Sequence, residues 1–164
     1  MSCFLQFYKE PENKSIIIKL TYMDKLNEFG KIIVDKLRDE NFEYYLGLRK
    51  KADSMTIEEY YNLPRNINYE SELQKNDDEK FELLNSLNEA QKQALDKLIL
   101  NMLDSNSFNF LREVEENLDE NKSIGLTITG EKIEENTNDL LSGTLFGEYF
   151  IWCEKFSKFG KYQY

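Results

Sequence analysis

The stretch from Leu87 to Asp104, "LNEAQKQALDKLILNMLD", restricts the possible folds more than any other part of the chain. It is built from strong helix formers, holds neither glycine nor proline, and places Ala94, Leu95, Leu98 and Met102 at helical spacing. Ser86 and Glu89 stand at the spacing of a capping box, which predicts a helix start there. The following "SFNFLREVEENLDEN" predicts another helical stretch, with Phe108, Leu111, Val114 and Leu118 inward and Glu113, Glu116 and Glu120 outward. Two prolines and seven glycines in 164 residues suit a chain of long helices joined by polar turns. Hydrophobic residues make up 40% and aromatic ones 13%, too much of both for a disordered chain despite 32% charge. One domain of this length buries roughly 70% of its unfolded surface.

Two segments read as strands. "SIIIKLTY", Ser15 to Tyr22, is β-branched and puts Ile16, Ile18, Leu20 and Tyr22 on one face, so with Cys3 to Tyr8 it predicts an N-terminal β-hairpin turning at "KEPENK". "GLTITGEK", Gly125 to Lys132, has the outline of a phosphate loop. However, Glu131 stands where the lysine belongs and Ile133 where a hydroxyl would hold magnesium. A carboxylate there repels an anion, and the alternation Ser123, Ile124, Leu126, Ile128 instead predicts a second β-hairpin near 123–135. Between these lie an expected helix over "MDKLNEFGKIIVDKLRDE" with Leu26, Phe29, Ile33 and Leu37 inward, and a separate shorter one carrying Phe42, Tyr45, Leu46 and Arg49. A two-turn helix is expected next, opened by the capping box Thr56-x-x-Glu59 and stopped at Pro64. Residues 65–77 read as a mobile connection, after which Asp78 opens a helix through Leu87.

The C-terminal segment is the most aromatic. As a helix it aligns Leu145, Tyr149, Trp152, Phe156 and Phe159; as a strand it alternates Tyr149, Ile151 and Cys153 with Phe150 and Trp152. Helix is the preferred reading, with Tyr162 and Tyr164 expected at the surface. The expectation for the whole is a single α+β domain over 1–164, mainly helical, with an N-terminal β-hairpin and a second β-hairpin near 123–135.

The chain has no histidine, which removes Ser-His-Asp and Cys-His nucleophile systems, histidine acid-base catalysis and most zinc and iron sites. Cys3 and Cys153 are the only cysteines and form no CxxC pair, so they read as two free thiols whose mutual distance is open. An EF-hand-like run from Asp119 through Asn121 and Ser123 lacks glycine at its sixth position and glutamate at its twelfth. Carboxylate chemistry remains, at Glu58 and Glu59, at Asp77, Asp78 and Glu79, or at Glu134 and Glu135, all in charge-rich surroundings typical of a solvated face. No cofactor and no metal is expected. The N-terminus shows neither a basic leader nor a long apolar run, so a cytoplasmic protein without a membrane span is expected.

Net charge is −10, and the acids gather in the latter part: Asp104 to Asp139 holds ten acids against Arg112, Lys122 and Lys132. Such a field repels nucleic acid and attracts basic proteins. The expected function is therefore a non-catalytic, protein-binding inhibitor that caps the basic nucleic-acid-binding surface of a nuclease or related effector. In physical type this is similar to bacterial immunity proteins and to phage proteins that mimic nucleic acid, although no family motif is present. Glu113, Glu116, Glu120, Glu131, Glu134 and Glu135 are the expected docking residues. The alternatives are an adaptor or structural interaction module, and a carboxylate enzyme using a divalent metal.

Overall fold

The computed structural model describes residues 25–119, 127–128, 131–132 and 141–162. Helix α1 (25–33), a π-helical segment Val34–Asp39 and α2 (Glu40–Ser54) run on as one uninterrupted helix where two were expected. In the π segment the Glu40 amide reaches back to the Asp35 carbonyl, an i to i−5 bond that inserts one residue and rotates everything beyond it. The apolar stripe therefore changes partners along the helix. Leu26, Ile33 and Val34 belong to one buried cluster, whereas Phe42, Tyr45 and Ala52 belong to another. Leu37, expected inward, is exposed, and its neighbours Arg38 and Asp39 are buried instead.

Helix α3 (Ile57–Tyr61) starts at a complete capping box: the Thr56 amide donates to Glu59 Oε2 at 2.7 Å and the Glu59 amide to Thr56 Oγ1 at 3.2 Å. The first of these bonds also holds the Glu59 carboxyl below its ordinary pKa. Helix α4 (Ser71–Ser86) begins ahead of the expected Asp78, so Ser71 to Asp77 are helical. Its Asn85 donates to the carbonyls of Ala52 and Met55 at 2.9 and 3.0 Å, satisfying the open C-terminal end of α2.

Helix α5 (Glu89–Asp119) is continuous over 31 residues. Its cap is Asn88 rather than Ser86, through a reciprocal pair with Gln91 at 2.9 Å each way. The expected stripe is also displaced: Leu98 and Met102 are 55% and 56% exposed, while Lys92, Leu100, Asp104, Ser107, Leu111 and Glu115 are buried. Helix α6 (Leu145–Phe156) is capped by Thr144, whose Oγ1 accepts from the Gly147 amide at 3.0 Å. It buries Leu145, Tyr149, Trp152 and Cys153 against α1 and α5. Tyr162, expected at the surface, is half-buried against Tyr149 and Phe150.

The α+β expectation is corrected: this is a mainly helical domain. Among the described residues the only strand pairing is β1 (Thr127–Ile128) with β2 (Glu131–Lys132), antiparallel, Thr127 opposite Lys132 and Ile128 opposite Glu131. Two residues per strand form no layer against which helices could pack. The core is helix on helix because α1–α2, α4, α5 and α6 bury one another's apolar faces. The expected N-terminal hairpin, Cys3 to Tyr22, lies outside the described residues.

Candidate functional site

The most concentrated polar chemistry is buried where the π segment meets α5 and α6. Arg38 is 0% exposed. Its Nε donates to Asp104 Oδ1 at 2.6 Å, its Nη2 to Asp104 Oδ2 at 3.3 Å and to the Lys161 carbonyl at 3.0 Å, and its Nη1 to Ser157 Oγ. Tyr149 donates its hydroxyl to Asp104 Oδ1 at 2.9 Å, and Asp39 accepts from Ser157 Oγ and the Lys158 amide, both at 2.8 Å. Burial opposes the Arg38 charge, but Asp104 outweighs it and the pKa is raised overall. This centre joins the middle of the first helix to the segment after α6. With its donors and acceptors matched and closed to solvent, it is architecture rather than a reacting surface.

Cys153 lies at the edge of this centre, fully buried. Desolvation pushes its thiol pKa up to about 11. Folding therefore favours the protonated form: that contribution is complete below the ordinary value of 9.0 and is lost as pH climbs through about 11. A chromogenic disulfide reagent at pH 8 should leave Cys153 unmodified in the native protein and label it rapidly in urea. Because Cys3 is also present, the readout is peptide mapping of the Cys153 peptide.

The acidic stretch Asp104 to Asp139 divides in the structure. Asp104 is consumed by Arg38 and Tyr149. Glu115 is buried and accepts from the Leu145 amide at 2.7 Å and the Phe146 amide at 3.4 Å, so it caps α6 from the neighbouring helix. Of the expected docking residues, Glu113 and Glu116 are exposed on α5, Glu113 bonded to Asn117 and Glu116 3.8 Å from Arg112. Glu120, Glu134 and Glu135 lie outside the described residues, and only the backbone pairing of Glu131 is described.

A second acidic region, whose Glu58, Glu59, Asp77, Asp78 and Glu79 the sequence reading weighed only as carboxylate candidates on a solvated face, is α3, α4 and the turn between them. Residues 57–82 carry eight acids against Arg65, Lys75 and Lys80, a net −5. Large apolar side chains stand among them in the open: Ile57, Tyr61, Leu63, Tyr69 and Leu73 are each at least 40% exposed, and Ile67 reaches 94%. The signal was present in "NLPRNINYESEL", where apolar residues recur in a segment that never closes into a buried helix face.

Between α2 and this region opens a cleft of about 260 Å3, whose lining includes Leu48, Lys51, Tyr60, Arg65, Asn66 and Phe81. Tyr60 forms its floor, stacked on Phe81 with centroids 3.9 Å apart and rings 8° from parallel. Asp78 Oδ1 organises the wall, accepting from Tyr60 at 2.9 Å, Arg65 Nη1 at 2.6 Å and Gln74 Nε2 at 3.0 Å. No group of three or more His, Cys, Asp or Glu side chains that could hold a metal ion occurs among the described residues. None of their helices is long and apolar enough to cross a membrane. No protein-family model, curated protein or solved structure matches the chain, so the reading of this surface rests on its own chemistry.

Proposed function

We propose that the chain is a non-catalytic, cytoplasmic protein-binding module that docks on the basic, nucleic-acid-binding surface of a partner protein and blocks it. The observation that carries this reading is the mixed surface of residues 57–82. Negative charge there steers a basic partner into encounter, and the exposed Tyr61, Ile67 and Tyr69 supply the apolar contact that holds a complex. Neither property alone would do. Charge without apolar area gives a fast but short-lived encounter, and an apolar surface without charge gives slow, unselective association.

The test is photo-crosslinking from position 67 in the native host, followed by affinity measurements with the captured protein at several salt concentrations. Expected are a basic partner and an affinity falling roughly tenfold or more from low to physiological ionic strength. The charge-reversing pair Glu70→Lys and Glu72→Lys should weaken the complex more than Glu113→Lys with Glu116→Lys; the opposite order would move docking to α5. An affinity indifferent to salt would overturn the proposal.

One observation favours a second reading, that of an adaptor in a larger assembly. Leu98, Met102 and Phe110 are all about half exposed on α5, an apolar surface that none of the acids discussed above explains.

A further inference from the structure

The cleft floored by Tyr60 brings two cations together within an acidic region. Phe81 covers one face of the Tyr60 ring, and two cations lie over the ring: Lys51 Nζ at 4.7 Å and the Arg65 guanidinium carbon at 5.3 Å from its centroid. With one face blocked, both occupy the other. Like charges are not brought together over one ring without a cost that something else must offset. Arg65 is held there by Asp78, but Lys51 has no carboxylate within ion-pair distance among the described residues. Asp77, also on the lining, is paired with Lys80 at 3.2 Å. The cleft lining itself carries two cations, Lys51 and Arg65, and one carboxylate, Asp77, which Lys80 meets from outside the lining.

A further donor is already oriented. Asn66 Oδ1 is occupied by the Asn68 amide at 3.0 Å, which leaves the Nδ2 end of the same side chain for another acceptor. Lys51 from α2, and the unused nitrogens of Arg65 and Asn66 Nδ2 from the turn after α3, are therefore hydrogen-bond donors along the cleft, beside the apolar Leu48, Leu63 and Pro64. Donors of this kind are matched by an oxyanion, and the apolar lining by a flat ring. A space of about 260 Å3 is larger than a bare phosphate needs and suits a ligand of one ring.

We propose that this cleft binds a small ligand consisting of one ring bearing a phosphate or carboxylate, its oxyanion held by Lys51, Arg65 and Asn66 and its ring lying over the apolar wall. The site shares Leu63, Arg65 and Tyr69 with the surface of residues 57–82, but small-ligand binding there does not depend on the protein-docking reading. The test is amide NMR titration of the full chain with phenyl phosphate, benzoate and inorganic phosphate. Phenyl phosphate or benzoate should produce saturable shifts confined to residues around Lys51, Arg65 and Asn66, and should bind more tightly than inorganic phosphate. Lys51→Gln should weaken that binding roughly tenfold, the loss of one charge-assisted bond. Lys97→Gln, which removes an exposed lysine on α5, should leave it unchanged. Lys51 makes no ion pair among the described residues and only an exposed contact with the Tyr60 ring, so its substitution should melt within about 1 °C to 3 °C of the parent and report binding rather than folding. Absence of saturable shifts with either ring-bearing anion would overturn the proposal. So would equal affinity in Lys51→Gln, or inorganic phosphate binding as tightly as phenyl phosphate.

Discussion

Arg38→Met should cost the fold about 3–5 kcal/mol, the usual loss when one member of a buried ion pair is removed and the other remains. The substitution keeps the side-chain volume, so the loss is electrostatic. Asp104 stays fully buried with the Arg38 donors gone and the Tyr149 hydroxyl still facing it, and Asp39 loses a cation 3.6 Å away. Urea unfolding at neutral pH should show a lower midpoint with an unchanged slope. The damage should also have a location. Arg38 holds the Lys161 carbonyl and the Ser157 hydroxyl, and the segment from Ser157 to Tyr162 carries Phe159 into one apolar cluster and Tyr162 into the other. Amide exchange should therefore rise first there and only later in α6. The double variant Arg38→Met with Asp104→Leu should recover much of the stability, because it removes the stranded charge as well as the pair. If the single variant unfolds at the parent's urea midpoint, the centre is not the clamp described here.

The same centre shows why part of the fold was not legible in the sequence. Some local signals were read correctly, namely the Thr56 and Glu59 box and the α6 stripe from Leu145 to Phe156, whereas the expected Ser86 and Glu89 box gave way to Asn88 with Gln91, and Phe159 lies beyond α6 in the other cluster. The buried face of α5 is a different case. Lys92, Asp104 and Glu115 point inward because each meets its complement far away in sequence: Asp53 at 2.5 Å, Arg38, and the first amides of α6. A periodicity argument that sends every charge outward must then assign Leu98 and Met102 to the core in their place, and it did. The π segment defeats periodicity for a separate reason, since one inserted residue shifts the stripe without leaving any mark in composition. For the candidate site, the acidic excess was visible in the sequence, and Glu113 and Glu116 are exposed on α5 as expected. Counting charges along the chain favoured 104–139, whereas the structure buries Asp104 and Glu115 of that set and leaves the charge of 57–82 beside exposed rings.

Gly30→Ala sets two known effects against each other, and the structure decides the sign. On helix propensity alone the change should stabilise α1 by about 1 kcal/mol, because glycine in a helix interior is that much poorer than alanine. A Cβ at this position, however, would lie closer than 3.0 Å to three atoms of the Trp152 ring, which packs directly on the glycine. The ring has little room to withdraw: it is fully buried, meets Phe29 edge-on at 6.0 Å and 87°, and sits in the same cluster as Leu26, Leu111 and Tyr149. Overpacking of this kind costs about 1–3 kcal/mol and sometimes more, so the expected net result is destabilisation despite the better helix former. The indole N–H is buried without an acceptor among the described residues, so shape rather than hydrogen bonding fixes the ring. Trp152→Phe should then relieve the clash by supplying space while forfeiting no hydrogen bond, and the double variant should be more stable than the sum of the two single losses. Thermal and urea unfolding of all four proteins measure that coupling directly. A Gly30→Ala protein as stable as the parent, with tryptophan emission unshifted, would show that α1 and α6 stand further apart than the glycine contact requires.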